Sequence, residues 1–393
     1  MCKLNRSMYG LPQASHCAQK KLKETLTAGG EFEQTTADDC IFVTTNPVIT
    51  RSDYVITGTH VDDCLAVGRP EGIKALIATM EKDFKLTVKK DPTLIVGVQI
   101  ERDRKNKWLT LHQAAYIDEI LTEFGMMDCN PCKDTPMNGN LQTDFLMLPV
   151  ATPETIDEAV LALYRKLIGM FIWLYRCRPD FMFCCNVLAR NLHNATKAHL
   201  IMASNRPLRY LKGTKFWGLV FSPGSEEHWK LSGSSDADLA GDKKTSRSTI
   251  GHYCQLGEFG SISFSCSLER KIATSTQQSE TYAALGMAKD IKWLRELLHQ
   301  VGFKVIGATE ARTDNQGVYL QSTKQVNHAS AKHFRIAQAY IRMLVNLGIL
   351  SFRKVDSKDN GADMFTKGSM SREGYGKCRY MVMGPQDCPL AFG

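Results

Sequence analysis

Short runs of β-prone residues, Asp53-Tyr54-Val55-Ile56-Thr57 and Cys64-Leu65-Ala66-Val67, flank the polar Val61-Asp62-Asp63 and predict a hairpin with two acids at its tip. Apolar spacing predicts helices over 74–84 and 114–124, with strands at 94–101 and 109–112 between them. From 152 to 211 the period becomes helical, with Ile156, Val160, Leu163, Leu167 and later Leu188 and Leu192 recurring every three or four residues, as in a helical connector. After the break at Ser222-Pro223-Gly224-Ser225, residues 229–235 read as a strand ending at Asp236. Residues 250–256 and 261–265 then read as a hairpin around Gly257-Glu258-Phe259-Gly260. The capping-box pattern Ser275-x-x-Gln278 opens an amphipathic helix with Tyr282, Leu285, Ala288, Ile291, Leu294 and Leu298 on one face, closed by Gly302. A strand ending near Asp314, a short helix from Gln316, a helix over 332–347 stopped by Gly348 and a strand over 349–355 complete the pattern. Strands first, then alternating helices and strands, predict a mixed α+β or α/β fold in which helices cover a mixed sheet.

The 393 residues, 43% hydrophobic and 23% charged, have globular composition and length for two or three cores. A net charge of +8, from 49 Lys and Arg against 41 Asp and Glu, favours polyanionic partners through phosphate contact. The 13 cysteines are odd in number and scattered, which reads as reduced thiols in an intracellular protein of the cytoplasm or nucleus. Cys129 and Cys132 form a lone C-x-x-C with no second pair for zinc. No apolar core follows Met1, so no secretory signal is expected, and the apolar run 167–175 is too short to cross a bilayer.

Four acids in the last third fall at the ends of the predicted elements. Asp236 and Asp314 end strands, Glu280 lies in the first two turns of the long helix, and Asp363 opens the last helical segment. Acids grouped without His or Cys suit hard divalent ions such as Mg²⁺, and a pair of ions about 4 Å apart suits phosphodiester hydrolysis. A single Asp at a strand end is most often a turn or helix cap, so only the set is informative.

The residues that carry this pattern resemble a known family. Ser235-Asp236-Ala237-Asp238-Leu239-Ala240-Gly241, Ser246-Arg247-Ser248-Thr249-Ile250-Gly251, Ser275-Thr276-Gln277-Gln278-Ser279-Glu280, Thr313-Asp314-Asn315-Gln316, Lys332-His333 and Ala362-Asp363-Met364-Phe365-Thr366-Lys367 resemble, in order, the blocks of the ribonuclease H domain in copia-type retrotransposon Pol polyproteins. The resemblance implies an RNase H-like fold and hydrolysis of the RNA strand of RNA–DNA hybrids. It implies Asp236, Glu280, Asp314 and Asp363 as ligands of two Mg²⁺ ions, or of Mn²⁺. Asp238 competes with Asp236 for the first position, because residues two apart on a strand share a face. His333 is a candidate for proton transfer or product release, and Arg247, Lys271, Lys332 and Arg335 are candidates for contact with nucleic acid. A helix start bearing Lys and His is equally consistent with solvated surface.

The resemblance extends upstream. Met8-Tyr9-Gly10-Leu11-Pro12-Gln13-Ala14 and His60-Val61-Asp62-Asp63 are similar to blocks of the reverse transcriptase palm, with His60 where the family has Tyr. Later blocks, among them Arg178-Pro179-Asp180 and Arg209-Tyr210-Leu211-Lys212-Gly213-Thr214, are similar to the connector. The implied organisation is a truncated palm over 1–145, a helical thumb or connector over 146–225, an RNase H-like domain over 226–370 and a C-terminal tail over 371–393. The family's third polymerase aspartate precedes the Tyr-Gly-Leu block. Asp62 and Asp63 are therefore expected to be a remnant, with RNA-directed DNA polymerase activity lost by N-terminal truncation. The implied partner is an RNA–DNA hybrid or other nucleic acid, with no membrane. The alternative is a catalytically inactive nucleic-acid-binding remnant.

Overall fold

The computed structural model describes residues 14–222, 230–323 and 334–386. The chain forms two compact units, one of residues 1–96 with 292–306 and the other of residues 97–291 with 307–393. In the first, α1 (Ala14–Thr27) and α2 (Pro70–Met80) accompany an antiparallel sheet of β1 (Phe32–Gln34), β2 (Ile41–Thr44), β3 (Val55–His60) and β4 (Asp63–Gly68), paired in that order. Leu22, Leu26, Phe32, Phe42, Val55, Leu76 and Met80 form its core. The helix expected from residue 74 starts at Pro70, whose fixed φ suits a first helical position. His60 pairs with Asp63, so Val61 and Asp62 make the turn, and Val61 takes a φ of 54° that is unusual for a β-branched residue.

A short strand, β5 (Leu94–Ile95), precedes Gly97. The second unit opens with the hairpin β6 (Val98–Asp103) and β7 (Trp108–His112) and continues through α3 (Ala114–Glu123), α4 (Gly139–Met147), α5 (Glu158–Trp173), α6 (Met182–Leu188), α7 (Lys197–Ser204) and α8 (Arg206–Gly213). The strand β8 (Leu219–Phe221) then pairs antiparallel with β7, which ties the hairpin to the far end of the helical stretch. Ile117, Phe145, Leu161, Phe171 and Leu208 from this stretch share one core with Tyr253, Phe365, Tyr375 and Met383. Compactness therefore divides the chain along other lines than the four segments read from the sequence. Residues 97–145 pack with the connector, and the connector packs with the strands and helices beyond residue 230.

The remaining elements are β9 (Leu231–Asp242), β10 (Arg247–Leu256), β11 (Ser261–Leu268), α9 (Thr276–Gln300), β12 (Thr309–Thr313), α10 (Gln316–Thr323), α11 (Arg335–Asn346), β13 (Leu350–Lys354) and α12 (Arg372–Met383). The sheet order is β11-β10-β9-β12-β13, antiparallel among the first three and parallel from β9 through β12 to β13. Three meandering antiparallel strands, a long helix and two parallel strands make an RNase H-like mixed sheet. At Gly233 of β9 a Cβ would press on Met287 and Ile291, so the missing side chain lets α9 lie close on the sheet.

One expectation needs correction. The strand β9 does not end at Asp236 but runs to Asp242, because β10 pairs with it along its length, with an irregularity between Arg247 and Thr249. The residues of this extension, Ala237 to Asp242, hide it because they mix alanine, leucine, glycine and aspartate without the alternation that marks a strand. Within the span read as the C-terminal tail, residues 372–383 form a helix that buries Tyr375, Cys378, Val382 and Met383.

A buried ion pair locks this helix to the connector. The Arg178 guanidinium meets Asp180 through Nε and Nη2, both at 2.8 Å, and donates to the Thr214 carbonyl at 3.0 Å and the Thr214 hydroxyl at 2.8 Å. Tyr210 donates to Asp180 Oδ2 at 2.6 Å, and the Tyr375 hydroxyl of α12 donates to the Asp180 carbonyl. Burial opposes the charge on Asp180, but Arg178 outweighs it and holds the carboxyl below its usual range. Asp180→Asn, which leaves the guanidinium buried without its counter-charge, is expected to lower stability by about 3–5 kcal/mol. Urea unfolding measures this. A loss below about 1 kcal/mol, the level of an exposed pair, would show that the pair is not holding the core.

Candidate metal centre

Sheet register brings the first two acids together. Ser234 of β9 pairs with Arg312 of the parallel strand β12, so Asp236 and Asp314, each two residues further on, stand side by side on one face. The helix α9 packs on this sheet, and Glu280 lies in its first two turns. The Ser275 hydroxyl accepts from the Gln278 N–H at 3.2 Å, while Gln278 reaches back to the Thr274 N–H at 2.9 Å, one residue earlier than a capping box requires. One carboxylate oxygen each from Asp236, Glu280 and Asp314 lies within 4.8 Å of the others. Asp236 is 1% and Glu280 5% exposed, while Asp314 is partly exposed and accepts from the Ser357 hydroxyl.

Asp363 arrives differently, on a short 3₁₀ segment, Gly361–Phe365. Asn360, fully buried, accepts from the Ser234 hydroxyl at 2.8 Å and donates to the Ser235 carbonyl at 3.0 Å, pinning this segment to β9. Thr366 donates its hydroxyl to Asp236 Oδ2. The Lys367 ammonium lies 2.8 Å from Asp363 and 3.5 Å from Asp236. Asp363 thus neighbours Asp236 across an ammonium and is not a member of the three-oxygen group. Gly251 stands opposite Asp236 on β10, and a Cβ there would overlap Phe365, so glycine makes room for the segment that bears Asp363.

The acids perturb one another. Burial, followed by Asp236 and Asp314, pushes the Glu280 carboxyl up to about 9. Burial and Asp236 push Asp363 up to about 7, and burial raises Asp236 despite Lys367. Burial works against the charge of Lys367, yet Asp236 and Asp363 keep its pKa above the ordinary value. Glu280 Oε2 is buried with no hydrogen-bond partner among the described residues. An orphaned carboxylate oxygen facing two other acids fits a hard cation that takes oxygen ligands.

The remaining candidates from the sequence stand apart from the three-oxygen group. Asp238 is half-buried beside it but is not among its members, and burial and Asp236 raise its carboxyl. His333 and Lys332 lie outside the described residues, as does the Tyr9-Gly10-Leu11 block. Arg335 is exposed at the start of α11, and Lys271 is exposed in the loop before α9. Arg247 is partly engaged, donating through Nε to the Glu269 carbonyl. Asp62 and Asp63 are exposed at the β3–β4 turn, and among the described residues no third His, Cys, Asp or Glu joins them in a metal-binding group. Asn360, Thr366 and Lys367 escape a reading of the sequence. The last two stand in the block that supplies Asp363, but nothing in their spacing marks a contact with Asp236.

The fold is thus a mixed α/β one whose five-stranded sheet gathers three acids that could hold a metal ion. The family model for reverse transcriptase (RNA-dependent DNA polymerase) matches residues 1–139. Over 384 residues the chain is 30% identical to the retrovirus-related Pol polyprotein from transposon TNT 1-94 of Nicotiana tabacum, covering 97% of this chain and 28% of that one. It is 29% identical to the Pol polyprotein from transposon RE1 of Arabidopsis thaliana, covering 93% and 24%. The solved structure of LC11-RNase H1 in complex with an RNA/DNA hybrid aligns with 35% of this chain and 94% of its own, at 18% identity and a TM-score of 0.28. The chain is similar along nearly all of its length to the Pol polyproteins of these transposons and spans about a quarter of the length of the curated relatives it matches. Among the described residues no helix is long and apolar enough to cross a membrane.

The raised acids set a pH dependence. The folded state holds the Glu280 proton up to about 9, against 4.5 for an ordinary Glu, so between these values folding takes up a proton and stability falls as pH rises. A divalent cation that replaces that proton is expected to raise the melting temperature more at pH 8 than at pH 6. Thermal unfolding with and without Mg²⁺ tests this, and a rise that is equal at both pH values, or that survives in Glu280→Gln, contradicts it.

Proposed function

We propose that this chain cleaves the RNA strand of RNA–DNA hybrids by two-metal hydrolysis. The observation that carries the reading is the convergence of Asp236, Glu280 and Asp314, from a strand, a helix and a second strand's end, with the Glu280 oxygen left unpartnered in a buried pocket. Asp236, Glu280, Asp314 and Asp363 would hold two Mg²⁺ ions, which when bound activate water and stabilise the leaving oxygen. Thr366 fixes the rotamer of Asp236, Ser357 that of Asp314, and Asn360 the segment that carries Asp363. Exposed Lys271 and Arg335 are assigned to phosphate contact, which positions a duplex without reading its sequence. The 2′-hydroxyl and the form of the hybrid would distinguish the RNA strand.

A second reading, a nucleic-acid-binding protein without turnover, draws support from the ammonium of Lys367 between two of the four acids. A labelled RNA–DNA hybrid incubated with the full chain separates the two. Mg²⁺-dependent cleavage is expected, with a loss of at least about a hundredfold in Asp236→Asn and in Glu280→Gln, the scale of removing one electrostatic stabiliser of the transition state. Binding without cleavage supports the second reading, and cleavage that both variants retain would refute the assignment of the acids.

A further inference from the structure

Four acids meet in this pocket, and among the described residues the Lys367 ammonium is the one cation within ion-pair distance of any of them. Glu280 and Asp314 have no such partner there. Lys367 follows Asp363 by four residues, so the segment that delivers the fourth acid also delivers the positive charge. In this arrangement both oxygens of Asp236 are occupied, Oδ2 by the Thr366 hydroxyl and Oδ1 by the ammonium. The side chain of Lys367 is one-third exposed, and a lysine stem is long and has several rotatable bonds, so the ammonium has a route to solvent.

From this geometry we infer that Lys367 is a built-in counter-ion. It holds Asp236 and Asp363 together in the metal-free protein and is displaced when a divalent cation takes the Asp236 oxygen. The inference rests on reading the acids as a magnesium site. An ammonium and a divalent ion cannot share the same carboxylate oxygens at a few ångströms in a dry pocket without strong repulsion. Metal binding therefore has to move the lysine, and the cost of moving it lowers the affinity for metal. The affinity of the site is thus set by the contest between two cations as well as by the acids. A metal-free pocket with its lysine in place avoids the mutual repulsion that would otherwise spread the acids apart.

The test uses the full chain, with Mg²⁺ alone as the probe, and three measurements. Lys367→Met keeps the length and removes the charge. By calorimetric titration it is expected to bind Mg²⁺ roughly tenfold more tightly, within the usual range of coupling between two binding events, and to melt at a lower temperature than the parent when metal is absent. Lys367→Arg keeps the charge and is expected to stay close to the parent in both. An unchanged or weaker Mg²⁺ affinity in a folded Lys367→Met overturns the proposal. Should that variant fail to fold, the parent itself answers. Acylation of Lys367 by an amine reagent, followed by mass spectrometry, is expected to increase on adding Mg²⁺, and no increase overturns the displacement. Hybrid cleavage measured alongside keeps the two ideas separate. Tighter Mg²⁺ binding without cleavage defeats the nuclease reading alone, whereas cleavage with unmoved affinity defeats the counter-ion alone.

Discussion

Bringing Asp236, Glu280, Asp314 and Asp363 together, three of them buried, is the constraint around which the second unit is organised. Each carboxylate loses hydration there, and each feels the others through a medium that screens poorly. Such a cluster would push its members apart unless the backbone held them, and once held together they are driven toward protonation. Here the backbone does hold them. Asp236 lies on β9 and Asp314 directly follows β12, the strand paired parallel to β9, and the third acid comes from a helix that Gly233 allows to lie close on the sheet. Rigidity of this kind keeps oxygen ligands poised for a cation, as a preorganised site requires.

The fourth acid depends on a less regular element, and its support comes from further away. The segment Gly361–Phe365 hangs from β9 through Asn360, packs through Phe365 beside Gly251, and leads into α12. The helix α12 in turn reaches Asp180 through Tyr375, joining the buried pair of Asp180 with Arg178. A satisfied buried ion pair adds little net stability by itself, because desolvation offsets the attraction. Its geometry is demanding, however, and here it gives the first turn of the helix after Asp363 a buried anchor through Tyr375. The connector thus contributes to the position of a residue nearly two hundred positions later in the chain, and connector and five-stranded sheet share one core.

Much of this is legible in the sequence, for identifiable reasons. Runs with clean periodicity, such as those within residues 55–60, 114–123 and 276–300, predict elements close to those observed. The strand β9 outruns its predicted end at Asp236, since the half-buried residues Asp238 to Gly241 belong to it through pairing with β10 and carry no apolar alternation. The helix at 372–383 is hidden because the partner that buries Tyr375, the connector, lies far away in sequence. Of the site, the acids are legible as residue types that share a chemistry. Lys367, Thr366 and Asn360 are not, because their part consists of contacts that no local spacing encodes.

The two acidic sets in the chain illustrate how environment, and not residue type, decides what a carboxylate can do. Asp62 and Asp63 stand in solvent at a hairpin tip, where water screens their pull on a cation to about 1 kcal/mol at 4 Å. Two adjacent acids in that setting have no oxygen left without a partner, since water serves each one. The group around Asp236 differs in every respect that matters to a metal ion. Its oxygens converge from separate elements, one of them is buried without a partner, and burial drives the carboxyl of Glu280 far from its ordinary pKa. An acid pair on a turn gains comparable force only when other surfaces close over it and exclude water. The pocket of the RNase H-like sheet has that exclusion built into its own packing, and so it is there that the physical chemistry of this chain concentrates.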